Sequence, residues 1–251
     1  MRPSASPGLG QGEACPRGTT QPLIHCGMLR GVIFDFDGVL VDSESAHFDA
    51  FRRVLADEFH FDLTAAEYDA HYLGFDDHTC VRRAFELRGL QSSPEAVSDL
   101  VDRKWRAYED GLSRVPFFPG AERLVRELHE AGIPLGIASG SRRPEIETIL
   151  RGRDLLGCFR GIVGSGDVRN FKPHPEPYLR ARSLLFPADS PEGVVVFEDS
   201  TAGIASARAA DLRVIGVTNS HPRAKLGLAH HVIDSLLNIS VADVTRLAAL
   251  S

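Results

Sequence analysis

The run Gly31–Phe34 is apolar and strand-forming, and it stops at two carboxylates set two apart, Asp35 and Asp37, with Gly38 behind them. A strand of unbroken apolar residues belongs inside a sheet covered on both faces, where isolated charge is costly. Paired acids at its end must therefore meet a cation. The glycine lets the chain leave the strand through a conformation other residues avoid, so both acidic residues can face one pocket above the sheet edge. Taken alone an Asp-x-Asp is weak evidence, because such a pair also starts turns. Its weight depends on what the rest of the chain sets beside it.

After Gly38 the pattern changes. Apolar residues recur at helical spacing through 43–111, first Phe48, Phe51, Val54 and Leu55, then Val81, Ala84, Phe85 and Leu87, and a third stretch over 97–108 with Leu100, Val101, Trp105 and Tyr108 on one stripe. A small helical bundle is expected there, followed by a linker at 111–120 that holds Pro116 and Pro119. From Ala121 onward helices (121–131, 144–151, 177–185, 201–210) alternate with strands (133–138, near 161–163, 194–197, 214–217, and His231–Ile233). That alternation is the signature of a doubly wound parallel sheet. The expected architecture is α/β, with a core made of 28–42 and 116–251 and an all-α insertion at 43–115. Residues 1–27, rich in Pro, Gly, Ser and Thr and without periodicity, are expected to be disordered, with Met28 a candidate start of the domain.

Three later strand ends carry chemistry of the same kind. The strand ending at Ala138 runs into Ser139-Gly140-Ser141 ahead of a helix, a setting that offers hydroxyls and free backbone N–H groups to a phosphate; a plain helix cap is the competing reading. Lys172 stands in the stiff loop Lys172-Pro173-His174-Pro175-Glu176-Pro177, where an ammonium can neutralise phosphate oxygens; a solvated surface lysine is the competing reading. The apolar run 194–197 ends in Glu198 and Asp199, acids that could otherwise cap the next helix. With Asp35 they form a hard oxygen set suited to Mg²⁺. Four such signals at successive strand ends of one sheet converge on one crevice.

Composition narrows the alternatives. The net charge of −6, with Lys and Arg interspersed among acids, leaves no basic stripe for nucleic acid. Cys15, Cys26, Cys80 and Cys158 are too scattered for a disulfide framework or a zinc site, which fits a reducing compartment and a cytoplasmic location. No apolar stretch reaches membrane-spanning length, so no membrane partner is expected. A monomer is expected, and the phosphate-holding strand ends call for a phosphorylated ligand.

Asp35-Phe36-Asp37-Gly38-Val39, Ser139, Lys172-Pro173 and Glu198-Asp199-Ser200 with Ala202-Gly203 together resemble the four motifs of the haloacid dehalogenase superfamily. The run 37–44 with a helical insertion after it resembles the subgroup of β-phosphoglucomutase and sugar-phosphate phosphatases. The resemblance implies that Asp35 attacks phosphorus and forms an aspartyl-phosphate, and that Asp37 protonates the leaving oxygen and later deprotonates water. It implies that Asp35, the main-chain oxygen of Asp37, Glu198 and Asp199 hold Mg²⁺, with Ser139, Gly140 and Lys172 on the phosphoryl group. It further implies a mobile cap, hinged near 42–45 and 111–120, with His47 and Gly74 beside the substrate. The second motif aspartate favours phosphate esters over carbon–halogen bonds, since only the ester needs a proton on its leaving group. A β-phosphoglucomutase-like isomerase is the alternative enzyme, disfavoured by Asp76 and Asp77 next to Gly74; a non-catalytic phospholigand-binding module is the alternative of another class. Asp211 stands where relatives usually carry a helix-ending glycine.

Overall fold

Alternate residues of the apolar strands go to opposite faces of one sheet, and each face is covered by helices. The computed structural model describes residues 29–72, 77–187 and 192–249. Within them six strands, β1 (Gly31–Phe34), β2 (Leu135–Ala138), β3 (Phe159–Val163), β4 (Val194–Glu198), β5 (Arg213–Val217) and β6 (His231–Ile233), form a wholly parallel sheet of order β3-β2-β1-β4-β5-β6. Val32, Phe34, Leu135, Ile137, Val195, Phe197, Ile215 and Val217 pack on one side with residues of α5 (Ala121–Glu130), α6 (Arg143–Arg151) and α9 (Val241–Ala249). Ile33, Ala138, Val163, Val194, Val196 and Val214 pack on the other, against α7 (Glu176–Leu185) and α8 (Thr201–Ala209). The expected doubly wound α/β class is therefore what the chain adopts.

The chain winds outward in one direction through β1, β2 and β3 and in the other through β4, β5 and β6, so the winding reverses between β1 and β4. A crevice opens at such a reversal, at the carboxyl ends of the strands. Register decides what enters it. Phe34 pairs with Phe197, their rings stacked at 5.2 Å, so the next residues, Asp35 and Glu198, emerge side by side.

Four further helices, α1 (Ser43–Phe59), α2 (Ala65–His71), α3 (Asp77–Glu86) and α4 (Pro94–Glu109), follow β1 and enclose an apolar cluster of their own, including Phe51, Leu55, Tyr72, Val81, Phe85 and Leu100. Two linker segments join them to the sheet and run together, with Asp42 N–H on Pro116 O at 2.9 Å and Phe118 N–H on Leu40 O at 2.9 Å. Two elements lie outside the sequence expectation. The first is α2, seven residues closed by a capping box between Thr64 and Glu67; a helix this short offers too few turns for periodicity to register. The second is α9, which follows β6 in the chain and packs on β4 and α5. Asp211 takes a left-handed conformation, at φ 58°, which aspartate tolerates better than most residues other than glycine. Among the described residues no helix is long and apolar enough to cross a membrane. Residues 1–28 and Gly74 lie outside the described residues.

Candidate active site

Asp35 follows directly from β1, anchored by its N–H on Phe197 O at 2.9 Å. Its Oδ1 accepts from Phe36 N–H at 2.7 Å and lies 2.9 Å from Lys172 Nζ. Gly38 then turns the chain at φ 77°, and a Cβ there would stand 2.0 Å from Asp199 Oδ2. Only glycine fits. Its carbonyl is pinned by Asn219 Nδ2 at 2.8 Å, from the loop after β5.

Lys172 reaches the same point from the proline-rich loop, which is tied down by Ser206 Oγ on His174 O at 2.6 Å and by Glu176 accepting from Arg169 and Asn170 N–H. Its ammonium bridges Asp35 and Glu198, 2.8 Å from Glu198 Oε1, and is only 14% exposed. Glu198 is fully buried and accepts four hydrogen bonds, from Lys172 and Tyr178 Oη on Oε1 and from Ser200 N–H and Oγ on Oε2. Ser200, not either acid, caps α8. Ligand oxygens of Asp35, Glu198 and Asp199 lie within 4.8 Å of one another.

The electrostatics of the cluster favour a cation. Burial, the largest influence, pushes the Asp35 carboxyl well above its ordinary value; Lys172 opposes this, while Glu198 and Asp199 add to it. Burial and the neighbouring Glu198 raise Asp199 to about 6. Burial would raise Glu198 too, yet Lys172 and the hydrogen bonds it accepts hold it below its ordinary range. Lys172 itself is raised, the two carboxylates outweighing its desolvation. Three carboxylates with one ammonium leave a formal surplus of two negative charges in a buried space. A divalent cation with a preference for oxygen ligands cancels that surplus, so the donor set fits Mg²⁺.

Asp37 stands across the crevice and is held by hydroxyls. Ser139 Oγ and Ser141 Oγ donate to its Oδ2 at 3.0 and 2.7 Å, and Ser141 N–H donates to Ser139 Oγ at 2.9 Å. Neither serine caps α6, whose first turn has no side-chain cap. Gly140, between them, is exposed.

From the helical side, His47 stacks on Tyr108 with ring centroids 4.1 Å apart, and its Nδ1 lies 2.7 Å from Lys104 Nζ. Burial and the Lys104 ammonium lower its pKa to about 4, so the ring is neutral near pH 7. Lys104 is buried and paired with Asp77 at 2.8 Å; the repulsion expected of Asp77 toward a phosphate is thereby offset. Tyr108 Oη donates to Glu145 at 2.5 Å, joining α4 to the first turn of α6, and Asp37 is among the charges that raise Glu145. Sequence reasoning missed Tyr178, Asn219, Lys104 and Glu145 as parts of this assembly, together with Ser220, whose side chain hydrogen-bonds Asp199. Asn219 and Ser220 were within reach of the strand-end rule that found Asp35; the others have no local signal.

Gly203 is the tightest point. A Cβ on it would lie 1.5 Å from Glu198 Oε1, so Gly203→Ala must displace α8 or the carboxylate that orients Lys172. The expected cost is about 3 kcal/mol of stability, read by urea unfolding, with lost activity in whatever remains folded; a variant as stable and active as the parent contradicts this packing.

Residues 32–217 match the family model described as haloacid dehalogenase-like hydrolase. The chain is 32% identical over 222 residues to (DL)-glycerol-3-phosphatase 1, mitochondrial, of Arabidopsis thaliana, covering 84% of this chain and 72% of that one. It is 33% identical over 200 residues to the phosphorylated carbohydrates phosphatase of Thermotoga maritima, covering 76% and 87%. Among solved structures, a provisionally assigned beta-phosphoglucomutase from Thermotoga maritima superposes with a TM-score of 0.72 at 29% identity, covering 83% of this chain and 97% of that one.

Proposed function

The chain belongs to the haloacid dehalogenase-like hydrolase family, and from that premise we propose that it hydrolyses the phosphate monoester of a small polyhydroxylated metabolite, such as a sugar or glycerol phosphate. The observation that carries this reading is Asp35 beside Lys172, Glu198 and Asp199 on one wall of a crevice, with Asp37 held by two hydroxyls on the other. The relatives named above support this substrate class, because two of them are named as phosphatases of a polyol or carbohydrate ester.

In this mechanism an Asp35 carboxylate oxygen forms a bond to phosphorus as the bond to the ester oxygen breaks, and Asp37 gives its proton to that departing oxygen. Asp37, now ionised, then takes a proton from water, whose oxygen attacks the aspartyl-phosphate and frees Asp35 with inorganic phosphate. Lys172, Ser139 Oγ and Gly140 N–H hold the phosphoryl oxygens. Asp35, Asp199 and the main-chain oxygen of Asp37 would hold a divalent cation, which would further neutralise phosphoryl charge. Glu198 acts from behind. Its oxygens already accept four hydrogen bonds, so it fixes Lys172 and would add negative charge behind the cation's ligands. Helices α1–α4 act as a cap that closes over the crevice, turning at 42–45 and 111–120 and bringing His47 to the substrate.

A panel of phosphate esters with Mg²⁺ tests the reading, with β-glucose 1-phosphate and a hexose bisphosphate included. Phosphate release from polyol or sugar esters, abolished by chelation, is the expected result. No release from any ester contradicts it, and conversion of β-glucose 1-phosphate to its 6-isomer replaces hydrolysis with the mutase reaction.

A further inference from the structure

At the other edge of the sheet, where β4 and β5 begin, lies a cavity of about 410 Å³, within the roughly 300–1,000 Å³ common for small-molecule sites. Its lining includes Arg208 and Asp211 at the end of α8, Arg213 at the start of β5, His230 ahead of β6, Glu192 ahead of β4, and Ala248 in α9. The length of β4 sets it roughly 13 Å from the acidic crevice at about 3.3 Å per residue, so it is no part of that site.

His230 is the telling residue. Its backbone N–H bonds Val214 O and its ring Nδ1 accepts from Val214 N–H, both at 2.9 Å, which fixes the ring and commits the Nδ1 lone pair. Its Nε2 lies 2.9 Å from Arg208 Nη1. A neutral imidazole accepts at only one nitrogen, and guanidinium only donates. Nε2 therefore carries the proton, and two donors face each other. Burial, Arg208, Arg213 and His231 all lower the His230 pKa, which keeps the ring neutral. Neither Arg208 nor Arg213 forms an ion pair among the described residues, although Glu192 and Asp211 line the same cavity. An oxyanion seated between Nε2–H and the Arg208 guanidinium accepts from both and removes the conflict.

We infer that this cavity binds a phosphate group, free or carried on a small polyol, with Arg208, Arg213 and His230 Nε2–H as donors and with Asp211 on the same wall to meet the hydroxyls of an ester. The inference stands apart from the hydrolase reading, since none of these residues belongs to the crevice.

The test follows the histidine side-chain nitrogens of the ¹⁵N-labelled full-length protein by NMR in the presence of chelator, with His230 assigned by its loss in His230→Gln. Inorganic phosphate is expected to shift the His230 Nε2 resonance saturably, and binding is expected to weaken at least about tenfold in Arg208→Gln and in Arg213→Gln. Glycerol 1-phosphate run in parallel separates the sources: tighter binding than inorganic phosphate assigns the site to an ester, and equal or weaker binding assigns it to the free anion. No saturable shift, the same shift with chloride at matched ionic strength, or parental affinity in both variants overturns the inference.

Discussion

Asp35→Asn is expected to lower phosphate release by about 10⁴-fold or more, the scale seen when a nucleophile is removed from an active site that otherwise stays intact. The substitution changes one oxygen to nitrogen. The amide oxygen can still accept from Phe36 N–H and Lys172, which hold the carboxylate at 2.7 and 2.9 Å. What is lost is the negative oxygen that bonds to phosphorus, and no other acid in the crevice replaces it: Glu198 is enclosed by four donors and Asp199 lies beyond Gly38.

Stability separates this loss from simple unfolding. Burial and two neighbouring carboxylates raise Asp35 in the folded chain. An acid whose pKa is higher folded than unfolded binds more protons in the folded state, so its stabilising contribution is full below the unfolded value and is lost as pH rises through the folded one. Near neutral pH, without a divalent cation, an ionised Asp35 therefore works against folding. Asp35→Asn removes that charge, and its Tm in chelator is expected to equal or exceed the parent's. An inactive variant with a lower Tm would locate the defect in the fold, and an active variant would remove Asp35 from the chemistry.

The parts of this molecule that were legible in the sequence are those with local causes. An apolar run followed by an acid is a buried strand meeting the sheet edge, and β1 and β4 obey it, with Phe34 and Phe197 in register so that Asp35 and Glu198 emerge together. Lys172 was legible because the prolines around it keep it out of a helix. The serines were found as residues, although their first task in the structure is to hold Asp37. What could not be read depends on how separate helices dock. Lys104 meets His47 across 57 residues and Tyr108 meets Glu145 across 37, and nothing in either segment announces the other. The same holds for His230 and Arg208, whose conflict exists only once β6 lies beside β5.

Asp37→Asn is expected to lower turnover of alkyl phosphate esters by roughly 10²- to 10⁴-fold, the usual worth of general acid–base catalysis. Asparagine keeps the side chain in place, because its amide oxygen can accept from Ser139 and Ser141 as the Oδ2 of Asp37 does at 3.0 and 2.7 Å. The two half-reactions then respond differently. Departure of a sugar or glycerol oxygen needs a proton and slows by the full factor. Departure of nitrophenolate, stable as an anion, needs none, so with a nitrophenyl ester Asp35 is still phosphorylated at close to the parental rate. Attack by water needs a base, and the substituted amide has no proton-accepting carboxylate to offer, so the aspartyl-phosphate accumulates. Rapid-mixing kinetics should therefore give a burst of nitrophenolate equal to the enzyme present, followed by slow turnover. Equal slowing of alkyl and nitrophenyl esters, with no burst, would mean that Asp37 only positions its neighbours.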